Sequence, residues 1–296
     1  MEKSPLKYDL LLLLTSAIWG FAFVAQRAGM EYLGPLTFNG IRFGLGSLAL
    51  IPAMILQRKA YLNKSSPFED RKFFLAGLAA GILVFAGASF QQIGIVYTTA
   101  GKAGFITGLY VVIVPFLGLA WKQRTPFLTW LASFLALTGL YFLSVRGNFH
   151  IEKGDLLVLI SAFVWAVHVQ FIGKFSPKMN PLELSFLQFA TCSALSLISG
   201  VALEKPGLEE IFSASIPILY AGLLSVGIGY TLQVVAQQKT PPSHTAIILS
   251  LESVFAVIGG ALILGESLTN RELIGCALML AGMILSQLTR RPKDVI

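Results

Sequence analysis

With 296 residues, 55% of them hydrophobic and only 12% charged, at a mean hydropathy of +0.74, the chain lacks the polar surface of a soluble domain, where about 25% of residues are charged. A net charge of +7 invites a nucleic-acid reading, but the basic residues are dispersed over short loops between apolar runs, which excludes such an interface. Cys192 and Cys276 each sit inside an apolar run with no histidine at ligand spacing, which excludes a disulfide framework and a zinc site.

Apolar runs of about 20 residues recur from end to end, each long enough to cross a hydrocarbon core of roughly 30 Å as a helix. The first, 9–29, follows Lys3 and Lys7 but is too long for a secretory signal and has no small-x-small cleavage site, so it reads as a retained span carrying Trp19 at its middle. Gly34-Pro35 opens the second, 34–56, with Arg42 inside it. The polar stretch Gln57–Lys72 leads into 73–96, which holds Gln91; 100–121 follows with Tyr110 at mid-span, and Lys122–Pro126 leads to 126–145. After Arg146–Gly154 come 154–174 with Trp165 and His168, and then 181–203. Beyond Glu204–Glu210 come 213–237 with Gln233, 242–264 with Glu252, and 270–288. That is an all-α membrane protein of ten transmembrane helices, with no loop long enough to be a soluble domain.

The ten spans are five taken twice. Adding 146 maps Asp9 to Asp155, Trp19 to Trp165, Pro35 to Pro181 and Phe43 to Phe189; adding 142 maps Gly87 to Gly229, Gln91 to Gln233 and Thr98 to Thr240. Two five-helix repeats, 1–146 and 147–296, are expected. Because five is odd, the second enters the membrane from the opposite side, giving an inverted repeat with a site where the halves meet. Lys and Arg number fifteen on one face and four on the other, which puts both termini in the cytoplasm. Arg27, Arg42 and Lys102 lie within or near spans; Arg27 and Lys102 are expected to snorkel outward.

With Ser16-Ala17-Ile18-Trp19-Gly20, its counterpart Ser161-Ala162-Phe163-Val164-Trp165, and the later Ser250-Leu251-Glu252-Ser253-Val254-Phe255-Ala256 and Leu264-Gly265-Glu266-Ser267-Leu268-Thr269, the chain resembles the EamA-type carriers of the drug/metabolite transporter superfamily over nearly its whole length. The resemblance implies ten helices in two repeats and transport without naming the cargo, since members export amino acids and other metabolites and relatives exchange sugars or phosphorylated compounds. In two places the pattern departs from the family's. Ser253 stands where these carriers usually have a proline, so a kink there must come from elsewhere, and Lys122-Gln123-Arg124 replaces the first-half glycine-glutamate turn.

Seven residues are candidate substrate contacts. Glu252 lies near mid-bilayer, where an ionised carboxylate costs a few kcal/mol unless solvated or paired, so it reads as cavity-lining and a candidate proton carrier, or else as a hydrogen-bonded structural acid. Tyr110 is its counterpart at offset 142. His168 shares a helical face with Trp165 and is either a titratable contact or a satisfied core histidine. Trp19 and Trp165 are cavity walls or helix packing; Gln91 and Gln233 are substrate contacts or interhelical glue. Arg42 is a candidate to attract an anionic group. Gly40/Gly44, Gly77/Gly81 and Gly104/Gly108 are close-packing patches, and Gly101-Lys102 lacks the glycine of a phosphate loop, so no ATP site is expected. No cofactor is expected.

The leading reading is a secondary transporter of a small solute, an amino acid or a related neutral or zwitterionic metabolite, exported across the cytoplasmic membrane by alternating access, with membrane lipid around it and protons as a candidate coupling ion. An intramembrane enzyme acting on a lipid-linked substrate would need a nucleophile, metal or acid/base cluster at an interface, and a channel would need rings of like polar residues; neither pattern is present.

Overall fold

The computed structural model describes residues 5–57, 65–98, 100–144, 152–264 and 269–288, and these are nearly all helical, with one isolated bridge between Ser65 and Met179. The helices of the first half are α1 (Pro5–Gly29), α2 (Pro35–Gln57), α3 (Arg71–Val96), α4 (Ala100–Gly108), α5 (Tyr110–Ala120) and α6 (Phe127–Ser144). They are followed by α7 (Lys153–Phe175), α8 (Pro181–Leu203), α9 (Leu208–Ser213), α10 (Ser215–Leu219), a wider π-helical segment (Tyr220–Tyr230) and α11 (Thr231–Ala236). The last three are α12 (Pro242–Leu249), α13 (Glu252–Leu264) and α14 (Asn270–Leu288). Among the described residues eight helical stretches are long and apolar enough to cross a membrane, and Phe127–Phe142 and Pro242–Ile258 are apolar but shorter. The chain is a multi-pass membrane protein; the expected crossings at 126–145 and 242–264 fall on those two shorter stretches.

Helix starts follow from local chemistry. Pro35, Pro181 and Pro242 open α2, α8 and α12, where a missing N–H costs nothing. Asp70 Oδ1 accepts from Lys72 N at 2.8 Å and Asn180 Oδ1 from Leu182 N at 3.1 Å. Glu204, just past α8, caps a helix of the other half: its carboxylate accepts from Leu36 N and Thr37 N at the start of α2, each at 2.8 Å.

The polarity is that of a protein solvated by lipid. Leu56, Phe127, Leu203 and Ile216 are each at least 76% exposed, whereas Arg42, Gln91, Gln92, His168, Gln188, Gln233 and Glu252 are each 6% exposed or less. Apolar residues face out and the polar ones are gathered within. Arg27 lies exposed at the end of α1 and its Nη1 donates to Ile95 O at 2.9 Å, capping α3; the side chain of Lys102 lies outside the described residues.

Packing repeats in step with the sequence. α1 packs on the π segment as α7 does on α3, and α1 packs on α12 and α13 as α7 does on α4 and α5. Two further pairs, α2 with α8 and α6 with α14, join equivalent helices to each other. Close approach is made by small residues: a Cβ on Gly139 would lie 2.6 Å from Gly275 O, and Gly40 and Gly81 press on α8 at Leu197 and Thr191.

Three spans expected to be continuous are not. In the span at 100–121, α4 stops at Gly108 and α5 restarts at Tyr110; in the span at 242–264, α12 stops at Leu249 and α13 restarts at Glu252. Both breaks carry a tightened bond, Leu109 N to Ile106 O at 3.2 Å and Leu251 N to Ile248 O at 3.1 Å, and 142 positions separate the two. At the second break, which has no proline, Ser250 Oγ donates to Ile247 O at 2.8 Å, competing for a carbonyl of its own helix, while Ser253 Oγ donates across to Gly104 O of α4 at 3.2 Å. The span at 213–237 is divided among α9, α10, the π segment and α11, where Gly222, Gly227 and Gly229 weaken the preference for α winding. The turn motif at 265–268 lies outside the described residues.

Candidate functional site

The broken helices border a cavity of about 40 Å³, room for a few waters. All seven residues singled out from the sequence line it: Trp19 from α1, Gln91 from α3, Tyr110 from α5, Trp165 and His168 from α7, Gln233 from α11 and Glu252 from α13.

Their partners differ in kind. Tyr110 Oη donates to Glu252 Oε1 at 3.1 Å, so the two counterparts touch. Each stands at the first residue of the helix that restarts after a break, which is why the chain can bring them together. Gln91 Nε2 donates to Thr107 Oγ1 at 3.1 Å, and Gln233 Nε2 to Gln237 Oε1 at 3.1 Å. His168 Nε2 is 3.0 Å from Gln188 Oε1 while its Nδ1 is buried with no hydrogen-bond partner among the described residues, and its ring meets Trp165 edge-on at 5.7 Å. Thus His168 has one nitrogen committed to α8 and one unmet among the described residues.

The tryptophans are seated by glycines of the opposite half. A Cβ on Gly87 would come 3.0 Å from the Trp165 ring, and one on Gly229 would come 2.7 Å from Trp19 Nε1. Gly87 and Gly229 are themselves counterparts, so each half supplies a ring and a slot. Trp19 Nε1 also donates to Ser225 O at 3.2 Å, a carbonyl of the π segment.

Sequence reasoning passed over Tyr230, which is central. Its ring lies 4.5 Å from Trp19, 5.7 Å from Trp165, 5.8 Å from Phe43 and 6.0 Å from Phe189, centroid to centroid. Repeat matching could not find it, because its counterpart is Ala88. Phe23 and Val169, and Thr107 and Leu249, stand at equivalent positions on the lining but differ in residue type, so repeat matching does not mark them either. Gln26 and Ser225 are isolated polar residues with no such signal.

Two buried aspartates sit beyond the cavity at the starts of α1 and α7. His244 Nε2 donates to Asp9 Oδ1 at 3.2 Å, and its Nδ1 meets the Ser286 hydroxyl, tying α1 to α12 and α14. Thr98 Oγ1 donates to Asp155 Oδ1 at 2.6 Å, tying α7 to the end of α3. Asp9 and Asp155 are counterparts, and each bond joins the two halves. Among the described residues no group of three or more His, Cys, Asp or Glu is placed to hold a metal ion.

Comparison with known proteins agrees with this geometry. The sequence profile of the EamA-like transporter family matches residues 6–145 and again 152–288. A protein of Archaeoglobus fulgidus named an uncharacterized transporter is 32% identical over 281 residues, covering 95% of this chain and 85% of its own. One of Salmonella typhimurium named a probable amino-acid metabolite efflux pump is 24% identical over 307 residues, covering 95% and 94%. A solved crystal structure overlays with a TM-score of 0.79 at 16% identity, covering 96% of this chain and 98% of that one, a likeness of fold. These names are those of transporters rather than enzymes.

Proposed function

We propose, from the premise that this chain belongs to the EamA-like transporter family, that it is a secondary carrier exporting an amino acid or a similar neutral or zwitterionic metabolite by alternating access. The observation that carries the proposal is the cavity: it is lined by matched residues of both halves around the Tyr110–Glu252 contact. The chain is read as two inverted five-helix repeats, 1–146 and 147–296, crossing the cytoplasmic membrane ten times with both termini inside. The paired helix contacts and the fifteen-to-four distribution of Lys and Arg support that reading.

In that arrangement the Asp9 and Asp155 bonds are the proposed closures of opposite ends. A cavity of about 40 Å³ is far below the roughly 300 Å³ of a metabolite pocket, so loading requires one end to open and the walls to part. Breaking the Asp9–His244 bond admits solute from the cytoplasm; breaking the Thr98–Asp155 bond releases it outside. Trp19, Trp165, Gln91, Gln233 and His168 are the proposed substrate contacts, and Glu252 is the proposed proton carrier, releasing its hydrogen bond from Tyr110 as it loads. Nucleotide hydrolysis has no part in the cycle. The relative named an amino-acid metabolite efflux pump supports the choice of substrate class.

The test is counterflow in vesicles containing the purified chain, over a panel of amino acids, amines, nucleosides and sugars. Saturable uptake stimulated by the same unlabelled solute inside is expected for amino acids; a panel with no stimulated flux overturns the carrier.

A further inference from the structure

Among the described lining residues the cavity holds one fixed cation other than histidine, and no fixed anion is paired with it. Arg42 enters from α2 and is 2% exposed. Its guanidinium lies 4.9 Å from the Phe43 ring centroid and 5.7 Å from that of Phe38, and its Nε donates to Asn39 Oδ1 at 2.9 Å. Among the described residues it makes no other hydrogen bond and no ion pair, so its Nη donors are left over. The Nδ2 of Asn39 is buried without an acceptor as well. A guanidinium has five donors in a planar fork, and leaving most of them unmet inside a bilayer is costly. The position equivalent to Arg42 in the second half is Gln188, so the repeat does not require a charge there.

We propose that Arg42 is the anchor for a carboxylate carried by the substrate. The inference rests on the carrier reading and makes its substrate class specific: the cargo is a carboxylate-bearing solute held at one pole by Arg42. A carboxylate satisfies the fork with two parallel hydrogen bonds and cancels one charge with one charge. A phosphate monoester, with close to two negative charges, would need a second cation, and the lining residues supply none besides His168. Glu252, on the same lining and already hydrogen-bonded by Tyr110, is an acceptor that suits the ammonium of a zwitterion. The cavity therefore presents a donor set to the solute, and the cargo brings the acceptor with it.

The test uses the full chain with Trp121→Phe and Trp130→Phe, so that of the four tryptophans only Trp19 and Trp165, on the cavity wall, report binding by fluorescence. The probes are the proteinogenic L-amino acids, their C-terminal amides and inorganic phosphate. Amides are expected to bind about tenfold or more weakly than the acids, the loss of one charge-assisted pair. Arg42→Gln is expected to abolish that preference and Arg42→Lys to keep part of it. Equal binding of acids and amides by the unaltered cavity overturns the inference without any buried variant having to fold, and so does tighter binding of phosphate. If acids and amides bind and are carried alike in vesicles, the carrier stands and the anchor falls. If acids bind through Arg42 but nothing crosses, the anchor stands and the carrier falls.

Discussion

The two halves of the molecule share a scaffold and differ in chemistry. Trp19 and Trp165, Gln91 and Gln233, Phe23 and Val169, and Tyr110 and Glu252 occupy equivalent places on one cavity. Yet Arg42 answers to Gln188, His168 to Ala22, and Tyr230 to Ala88. Packing tolerates repetition because each helix meets an equivalent surface, whereas binding does not. A cavity with identical walls would accept an asymmetric solute in two opposed orientations; in the proposed carrier one guanidinium on one wall would select between them. Symmetry thus belongs to the moving parts and asymmetry to the recognition.

The sharpest break of that comparison is at its centre. Glu252→Gln is expected to cut counterflow about a hundredfold and to leave it flat with pH, while in the unaltered protein an inward proton gradient speeds export. Tyr110→Phe, on the matching wall, is expected to cost about tenfold, because it removes a hydrogen bond and no ionisable group. Equal losses would mean that the pair acts as a unit rather than as an acid and its support.

The two ends come next. Asp9→Asn and Asp155→Asn are expected to favour opposite openings by about tenfold each, the loss of a charge-assisted hydrogen bond. A cysteine placed at Ser225, in a chain lacking Cys192 and Cys276, reports this through its reaction with an impermeant thiol reagent added from each side. The same direction of change in both variants would refute the paired gates.

A smaller effect separates the two tryptophan slots. Gly229→Ala places its methyl closer to Trp19 than Gly87→Ala does to Trp165, so it is expected to lower stability by about 2 kcal/mol against about 1 kcal/mol, read from thermal unfolding in detergent. Smallest of all is Ser253→Pro. Because Ser253 is the second residue of α13, the proline removes the Ser253 N to Ser250 O bond of 3.2 Å and the hydroxyl bond to Gly104, and the expected cost is about 1 kcal/mol rather than the ~3 kcal/mol of a helix interior.

Much of this was legible because hydropathy reports directly on lipid contact, and repeat matching reports on positions where two helices meet equivalent neighbours. Trp19 and Trp165 are unusual residues for mid-span, Gln91 and Gln233 are unusual within an apolar run, and their recurrence at fixed offsets marked them. The helix breaks were not legible: nothing in Leu109 or Leu251 opposes α winding, and of the serine hydroxyls Ser250 acts through a carbonyl a turn away while Ser253 acts through Gly104 on another helix. Tyr230 was hidden for the opposite reason, since it is a common interfacial residue type whose counterpart is alanine. His168 was found, but its tie to Gln188 on another helix depends on tertiary geometry that spacing does not encode.

The bond between Tyr110 and Glu252 has a consequence of its own. Phe43 and Phe189 are a second pair of counterparts in contact, with ring centroids 6.1 Å apart; in the proposed cycle a contact between non-equivalent residues is exchanged for its twin when the halves trade conformations. A residue touching its own counterpart has no twin elsewhere; exchange returns it to itself. In the proposed alternating-access cycle such contacts lie where both openings would turn, and a cargo seated against them would travel the least while the membrane faces trade places around it.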